Sequence, residues 1–132
     1  MAELIEKLEQ IEELDLEKAR RHLPTQEQLL SAIKRFITIC DAQVEELKQY
    51  RDSVRDDFAS DDFMSYRIQA HTMKSLLRSI GADLFDEAYE LEKAGRNENL
   101  DMILKYTDDF VEKYLCLADR LRDALGEEDT ER

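Results

Sequence analysis

The chain has 132 residues, 39% charged and 42% apolar, with three glycines, one proline and no tryptophan. That length suits one domain with a real core, here residues 1–132, and so little Gly and Pro favours an all-α fold of long helices on short connections over a sheet protein. Asp and Glu number 32 against 19 Lys and Arg, and the formal charge of −13 argues against nucleic acid and anionic membrane as partners, since both need positive potential at the contact.

The first predicted element is a short amphipathic helix over about Glu3 to Glu13, within an N-terminal segment 1–14, with Leu4, Leu8 and Ile11 on one stripe. Packing against the domain's own end is the favoured role for such a stripe, and a partner-binding arm is the alternative. A brief helix from Leu16 to His22 stops at Leu23 and Pro24, because the residue before a proline is biased away from helical geometry. His22 then reads as a histidine favoured by the helix C-terminus, with no chemical role. Thr25 with Gln28 three residues on forms a capping box. Leu29, Ile33, Phe36, Ile37, Cys40, Val44 and Leu47 follow at helical spacing, predicting a long helix to about Val54.

An acidic connection carries Asp56, Asp57, Asp61 and Asp62, with Ser60 or Asp61 available as the next cap. No glycine turn or calcium-loop spacing accompanies these carboxylates, so they read as solvated capping charge. The next helix should end at Gly81, a left-handed stop. Asp83 is then expected to cap a short helix turning Leu84, Ala88 and Leu91 inward, which Gly95 ends. After a turn at Arg96 to Asn99, residues Ile103, Tyr106, Phe110, Tyr114, Leu117 and Leu121 share one face of a second long helix. Gly126 and the tail to Arg132 should fray.

Residues 15–125 therefore predict an antiparallel up-and-down four-helix bundle, preceded by an additional short N-terminal helix. A ferritin-like metal bundle needs inward Glu and paired Glu-x-x-His motifs, which the chain lacks. Cys40 falls on an apolar stripe and Cys116 among Asp109, Glu112, Asp119 and Asp123, so the two are poor candidates for a bridge. No Cys-x-x-Cys or Cys/His cluster suggests zinc. No apolar run approaches the roughly 18 residues of a membrane span, and the N-terminus lacks the order of a signal peptide, so a cytoplasmic protein is expected.

One stretch departs from the acidic background. Phe63 to Ala82 contains no Asp or Glu, and its charges are Arg67, Lys74 and Arg78 around His71. On a helical wheel Arg67, Lys74, Ser75 and Arg78 fall within roughly 60° of His71, while Tyr66, Met73, Leu76, Leu77 and Ile80 cluster on the other side. A helix packed by that apolar face turns the imidazole to solvent, inside a basic stripe.

The segment His71-Thr72-Met73-Lys74-Ser75-Leu76-Leu77-Arg78-Ser79-Ile80-Gly81-Ala82 resembles the signature of histidine-containing phosphotransfer (HPt) domains: His, two residues, Lys, usually Gly, then a hydrophobic residue and Gly-Ala at the helix end. Leu14 to Ala19 is similar to the family's entry turn, and Leu84 to Gly95 to its helix after the site, so the resemblance runs from about Ile11 to Leu121. It implies a phosphoryl carrier in a multistep His-Asp phosphorelay, a phosphotransfer intermediate and not an autokinase. His71 would be the phosphoacceptor, taking the group from the aspartyl phosphate of one response-regulator receiver domain and passing it to another; the receiver of a hybrid sensor histidine kinase is one candidate. Lys74 would stabilise the phosphoryl charge, Arg67, Ser75 and Arg78 would form the docking surface, and Gly81 would be the structural helix end.

No cofactor is implied for this chain, since Mg²⁺ would belong to the receiver. A monomer is expected, and the initiating Met1 and polar tail point to a free-standing protein. Ser75 stands where the family usually has Gly, which should narrow partner choice, and Arg78 alters the docking surface. The rival reading is a helical-bundle adapter that binds signalling partners without phosphotransfer, but it leaves an acid-free basic stripe centred on an outward histidine unexplained.

Overall fold

In the computed structural model, which describes residues 2–126, six helices follow one another: α1 (Ala2–Glu9), α2 (Leu16–His22), α3 (Gln26–Asp56), α4 (Asp62–Ser79), α5 (Phe85–Arg96) and α6 (Leu100–Leu125). The described residues contain no strand, and the fold is all-α. The tail from 127 to 132, expected to fray, lies outside the described residues, as does Met1.

Local chemistry sets most of the boundaries. The Thr25 hydroxyl accepts the Gln28 N–H and the Gln28 side chain accepts the Thr25 N–H, both at 3.1 Å, which is the reciprocal box expected at the start of α3. Asp15 caps α2 by accepting the Lys18 N–H, and Asn99 caps α6 by accepting the Met102 N–H. At α4 the side chain that satisfies a free amide is Ser60, which accepts from the Asp62 N–H at 3.0 Å.

Five expectations need correction. Helix α1 stops at Glu9, short of Glu13, because the chain turns through hydrogen bonds from Ile11 to Leu8 and from Leu14 to Ile11; Ile11 stays buried outside the helix. Asp83 does not cap α5. Its N–H donates to Glu13 O at 2.8 Å, and Leu84 takes the cap position without a side-chain bond. Gly95 lies inside α5, which runs to Arg96. Tyr106 is 40% exposed, and Thr107 is buried in its place: it lies closer in phase to Ile103, Tyr114 and Leu121, and its hydroxyl is satisfied by donating to Ile103 O at 2.6 Å. Gly126 does not fray. It caps α6 at φ +78°, its N–H donating to Arg122 O and Asp123 O.

Packing of α3 and α5 each against both α4 and α6 closes a circuit around the core, and α1 lies against α6, as the self-packing reading of its stripe expects. Phe36 and Tyr114 meet edge to face with ring centroids 4.8 Å apart. Buried polar bonds fix the register of α4. Because the Thr107 hydroxyl spends its proton on Ile103 O, Tyr66 O–H donates to Thr107 Oγ1 at 2.6 Å. Gln69 donates to the Gln43 carbonyl at 3.0 Å while Gln43 Oε1 accepts from Tyr114 O–H at 2.6 Å, so one glutamine ties α3 to both α4 and α6.

The N-terminal segment clasps the turn after α4. Asp15 N–H donates to Gly81 O at 2.8 Å beside the Asp83–Glu13 bond, an isolated antiparallel bridge between Leu14 and Ala82. Gly81 sits at φ +73°, and a Cβ there would lie 2.2 Å from Asp15 O. Both the left-handed turn and the clasp therefore require glycine.

Candidate functional site

Helix α4 buries Phe63, Tyr66, Ala70, Met73 and Leu77. The 3.6-residue period then forces Arg67, His71, Ser75 and Arg78 to the outside, where all four are exposed. The His71 side chain is 56% exposed. Both flanks of α4 are packed, by α3 on one side and α5 on the other, so the ring stands on a rigid helix.

Its partner comes from α5. Glu92, with a side chain only 7% exposed, places Oε2 2.9 Å from His71 Nδ1 and Oε1 2.7 Å from Lys74 Nζ. The contact with Lys74 is an ion pair without the angle of a directed hydrogen bond, which leaves Oε1 buried with no hydrogen-bond donor. Arg96 approaches Oε2 at 3.7 Å. Burial pushes the Glu92 carboxyl up, but its contacts with Lys74 and His71 outweigh that and hold it below the ordinary carboxylate range.

The protonation of the ring follows. An ionised carboxylate only accepts, so the nitrogen facing it must carry the hydrogen. In the neutral imidazole Nδ1–H donates to Glu92, and Nε2 keeps its lone pair on the ring edge turned away from the carboxylate.

What brings the two helices together is Gly95. A Cβ at that position would lie 3.0 Å from Arg67 Cα and Cβ, tighter than ordinary side-chain contact, so the absence of a side chain lets α5 cross α4 this closely. Glu92, one turn earlier, is thereby carried to His71, one turn later.

Of the residues anticipated from sequence, His71 and Lys74 meet through a carboxylate that was not anticipated. Lys74 is not a free cation. It is half-buried, paired with Glu92, and its Nζ lies 5.3 Å from the centroid of the Tyr89 ring, which Lys93 also approaches at 4.8 Å. Arg67 and Arg78 flank the ring on the exposed face but take no part in the ion pairs at the site. Arg78 instead lines a groove with Arg20, Arg21 and Asp83, between α2 and the turn after α4. Ser75 is exposed one turn beyond His71.

Two further groups escaped the sequence reading although each left a trace. Glu92 is in phase with Ala88 and Leu91, an acid inside the apolar stripe of its own helix. Met64 and Ile68, 63% and 56% exposed, share the outward face of α4 with His71. Together they make an apolar ridge leading to the imidazole.

Among the described residues no group of three or more His, Cys, Asp or Glu side chains is arranged to hold a metal ion. Both cysteines are free thiols, Cys40 buried and Cys116 exposed. Comparison with family models, curated proteins and solved structures gives no match for this chain.

Proposed function

We propose that this chain is a phosphoryl carrier of the HPt kind, an antiparallel four-helix bundle that shuttles a phosphoryl group between the aspartates of receiver domains through His71. The observation that carries the reading is the pairing of Nδ1 with Glu92, which leaves Nε2 as an oriented, solvent-accessible nucleophile on an acid-free face.

The step needs little from the chain beyond alignment and charge. The Nε2 lone pair attacks phosphorus, and the bond from phosphorus to the aspartyl oxygen breaks. The carboxylate departs with the electron pair, and the return step is the same exchange onto a second aspartate. Lys74 stands one turn from His71 and turns toward the incoming dianion from its contact with Glu92, while Arg67 and Arg78 hold the acidic pocket of the receiver. Such partly exposed cations contribute about 1 kcal/mol or less apiece, so alignment outweighs any one of them. Met64 and Ile68 supply apolar contact beside the histidine, of the kind that dominates interface energetics.

Incubation with phosphorylated receivers tests the reading. An acid-labile, alkali-stable label is expected on the wild-type chain and not on His71→Gln, with transfer slowed in Lys74→Ala. Failure of every receiver from the same organism to label the wild type would overturn it.

A further inference from the structure

Between α5 and α6 runs a groove of about 390 Å³ that the carrier reading leaves unused. Its floor is apolar: Leu91 and Phe110 are buried there, and Met102 and Tyr106 line its wall. Tyr106 belongs to the core stripe of α6 by spacing, but the phase that turns Thr107 inward leaves its ring at the groove and open to solvent. We propose that this groove is a docking site for a cationic amphipathic helix of a second protein, held there while the His71 face stays open.

The shape of the groove selects a helix. Met102, Tyr106 and Phe110 stand four residues apart and form one row along α6, about 12 Å long. A packed helix interlocks with such a row, its own side chains at i, i+3 and i+4 falling into the spaces. Leu91 faces the row from α5, so a third helix meets apolar contact on two sides. An extended peptide would need a free sheet edge, and the described residues contain no strand.

The rims select the sign of the charge. Glu87 and Glu90 border the groove on the α5 side and Asp109 on the α6 side. Lys113 is the one cation among the described residues that line it, and its Nζ is held 2.9 Å from Glu87 Oε1 and 3.3 Å from Asp109 Oδ2. On a chain of formal charge −13, a partner whose apolar stripe is flanked by Lys or Arg is attracted at both rims. A second copy of this chain brings the same excess of acid and is repelled.

The groove and the histidine share α5 but use different faces of it. Glu92 and Gly95 turn to α4, whereas Glu87, Glu90 and Leu91 turn to the groove, which His71 does not line. A helix seated there leaves the imidazole clear. The inference therefore goes beyond the carrier reading and does not depend on it.

A model peptide provides the test: a synthetic helix of about 14 residues, with leucine at i, i+3, i+4 and i+7 and lysine elsewhere. It is titrated into the isotope-labelled full chain and followed by amide NMR. The shifts should centre on Leu91, Met102, Tyr106 and Phe110. Tyr106→Ala should weaken binding roughly tenfold or more, as loss of an aromatic anchor does. Glu90→Lys, at an exposed helix position, should weaken it too, more at low salt than at high, and it carries the test alone should Tyr106→Ala not fold. Leu104→Ala removes an equally exposed apolar side chain outside the groove and should bind as the wild type does. So should His71→Gln, whatever the fate of phosphotransfer.

Equal affinity for a peptide with glutamate in place of lysine would overturn the proposal. So would wild-type affinity in both groove variants, shifts confined to the α4 face, or no shift at about 1 mM peptide. Self-association of the chain through the groove, read by sedimentation, would put a second copy there and overturn it as well.

Discussion

A carboxyl held below its usual range by neighbouring cations stabilises the fold wherever it is ionised, and Glu92 is such a group. Its contribution is complete above the unfolded-chain value of about 4.3 and is lost as pH falls through the lower folded-state value. The stability gap between wild type and Glu92→Gln in urea unfolding should therefore be constant near neutrality and shrink below about pH 4. A gap that persists unchanged to pH 3 would mean that the contacts of the Glu92 carboxylate with His71 and Lys74 contribute nothing to folding. At this scale the sequence was legible wherever a residue acts through its own helix. Thr25 with Gln28 and the outward phase of His71 are local facts. Glu92 is not local: the acid in an apolar stripe was visible, but its partner lies 21 positions away on another helix, and no periodicity reports which two stripes meet.

Glycine near the end of a helical pattern has two common uses, as a stop or as a point of close approach, and sequence alone does not separate them. Gly81 serves both uses, ending α4 at positive φ and admitting the Asp15 carbonyl, whereas Gly95 serves only the second. The difference has a measurable sign at the level of the α4–α5 pair. Gly95→Ala gains about 1 kcal/mol of helix propensity. It also forces a methyl to within 3.0 Å of the Arg67 backbone, where overpacking costs about 1–3 kcal/mol. The variant should therefore be less stable by about 1 kcal/mol in urea unfolding, and it should lose phosphotransfer out of proportion, because the His71–Glu92 bond lengthens with the crossing. Increased stability with undiminished transfer would show that the crossing has slack. The inward place of Thr107 in α6 escaped for a related reason. Its polarity argues against a core position in the sequence, although the buried Tyr66 hydroxyl needs an acceptor there.

Across the whole molecule, 32 acidic side chains cover the chain and one helix face is free of them. That contrast was legible in the sequence, and on the proposed reading it suits a partner with the opposite pattern, an acidic rim around an apolar centre. The centre was less legible, because Met64 and Ile68 share the phase of the basic residues and an exposed apolar side chain carries no signal of its own. Ile68→Glu places an acid in the window without touching the core, Ile68 being more than half exposed. Its kcat/KM for receiver transfer should fall roughly thirtyfold, the equivalent of about 2 kcal/mol for a residue central to an interface, with the thermal midpoint unmoved. Transfer at the wild-type rate would place the docking surface elsewhere. The clasp of the N-terminal segment on the α4–α5 turn belongs to this scale as well, since it joins distant stretches of chain that no local pattern relates.

His71 lines none of the grooves beside α2 or along α5 and α6. Its side chain is 56% exposed on the outward face of α4, and so open a face cannot desolvate a reaction centre. A phosphoryl group resting there meets bulk water on its open side, so the dry, enclosed environment in which phosphorus changes hands has to be furnished by the concavity of whatever docks. On the proposed reading this chain brings the nucleophile and the partner brings the enclosure. Neither half is an active site until the two have met.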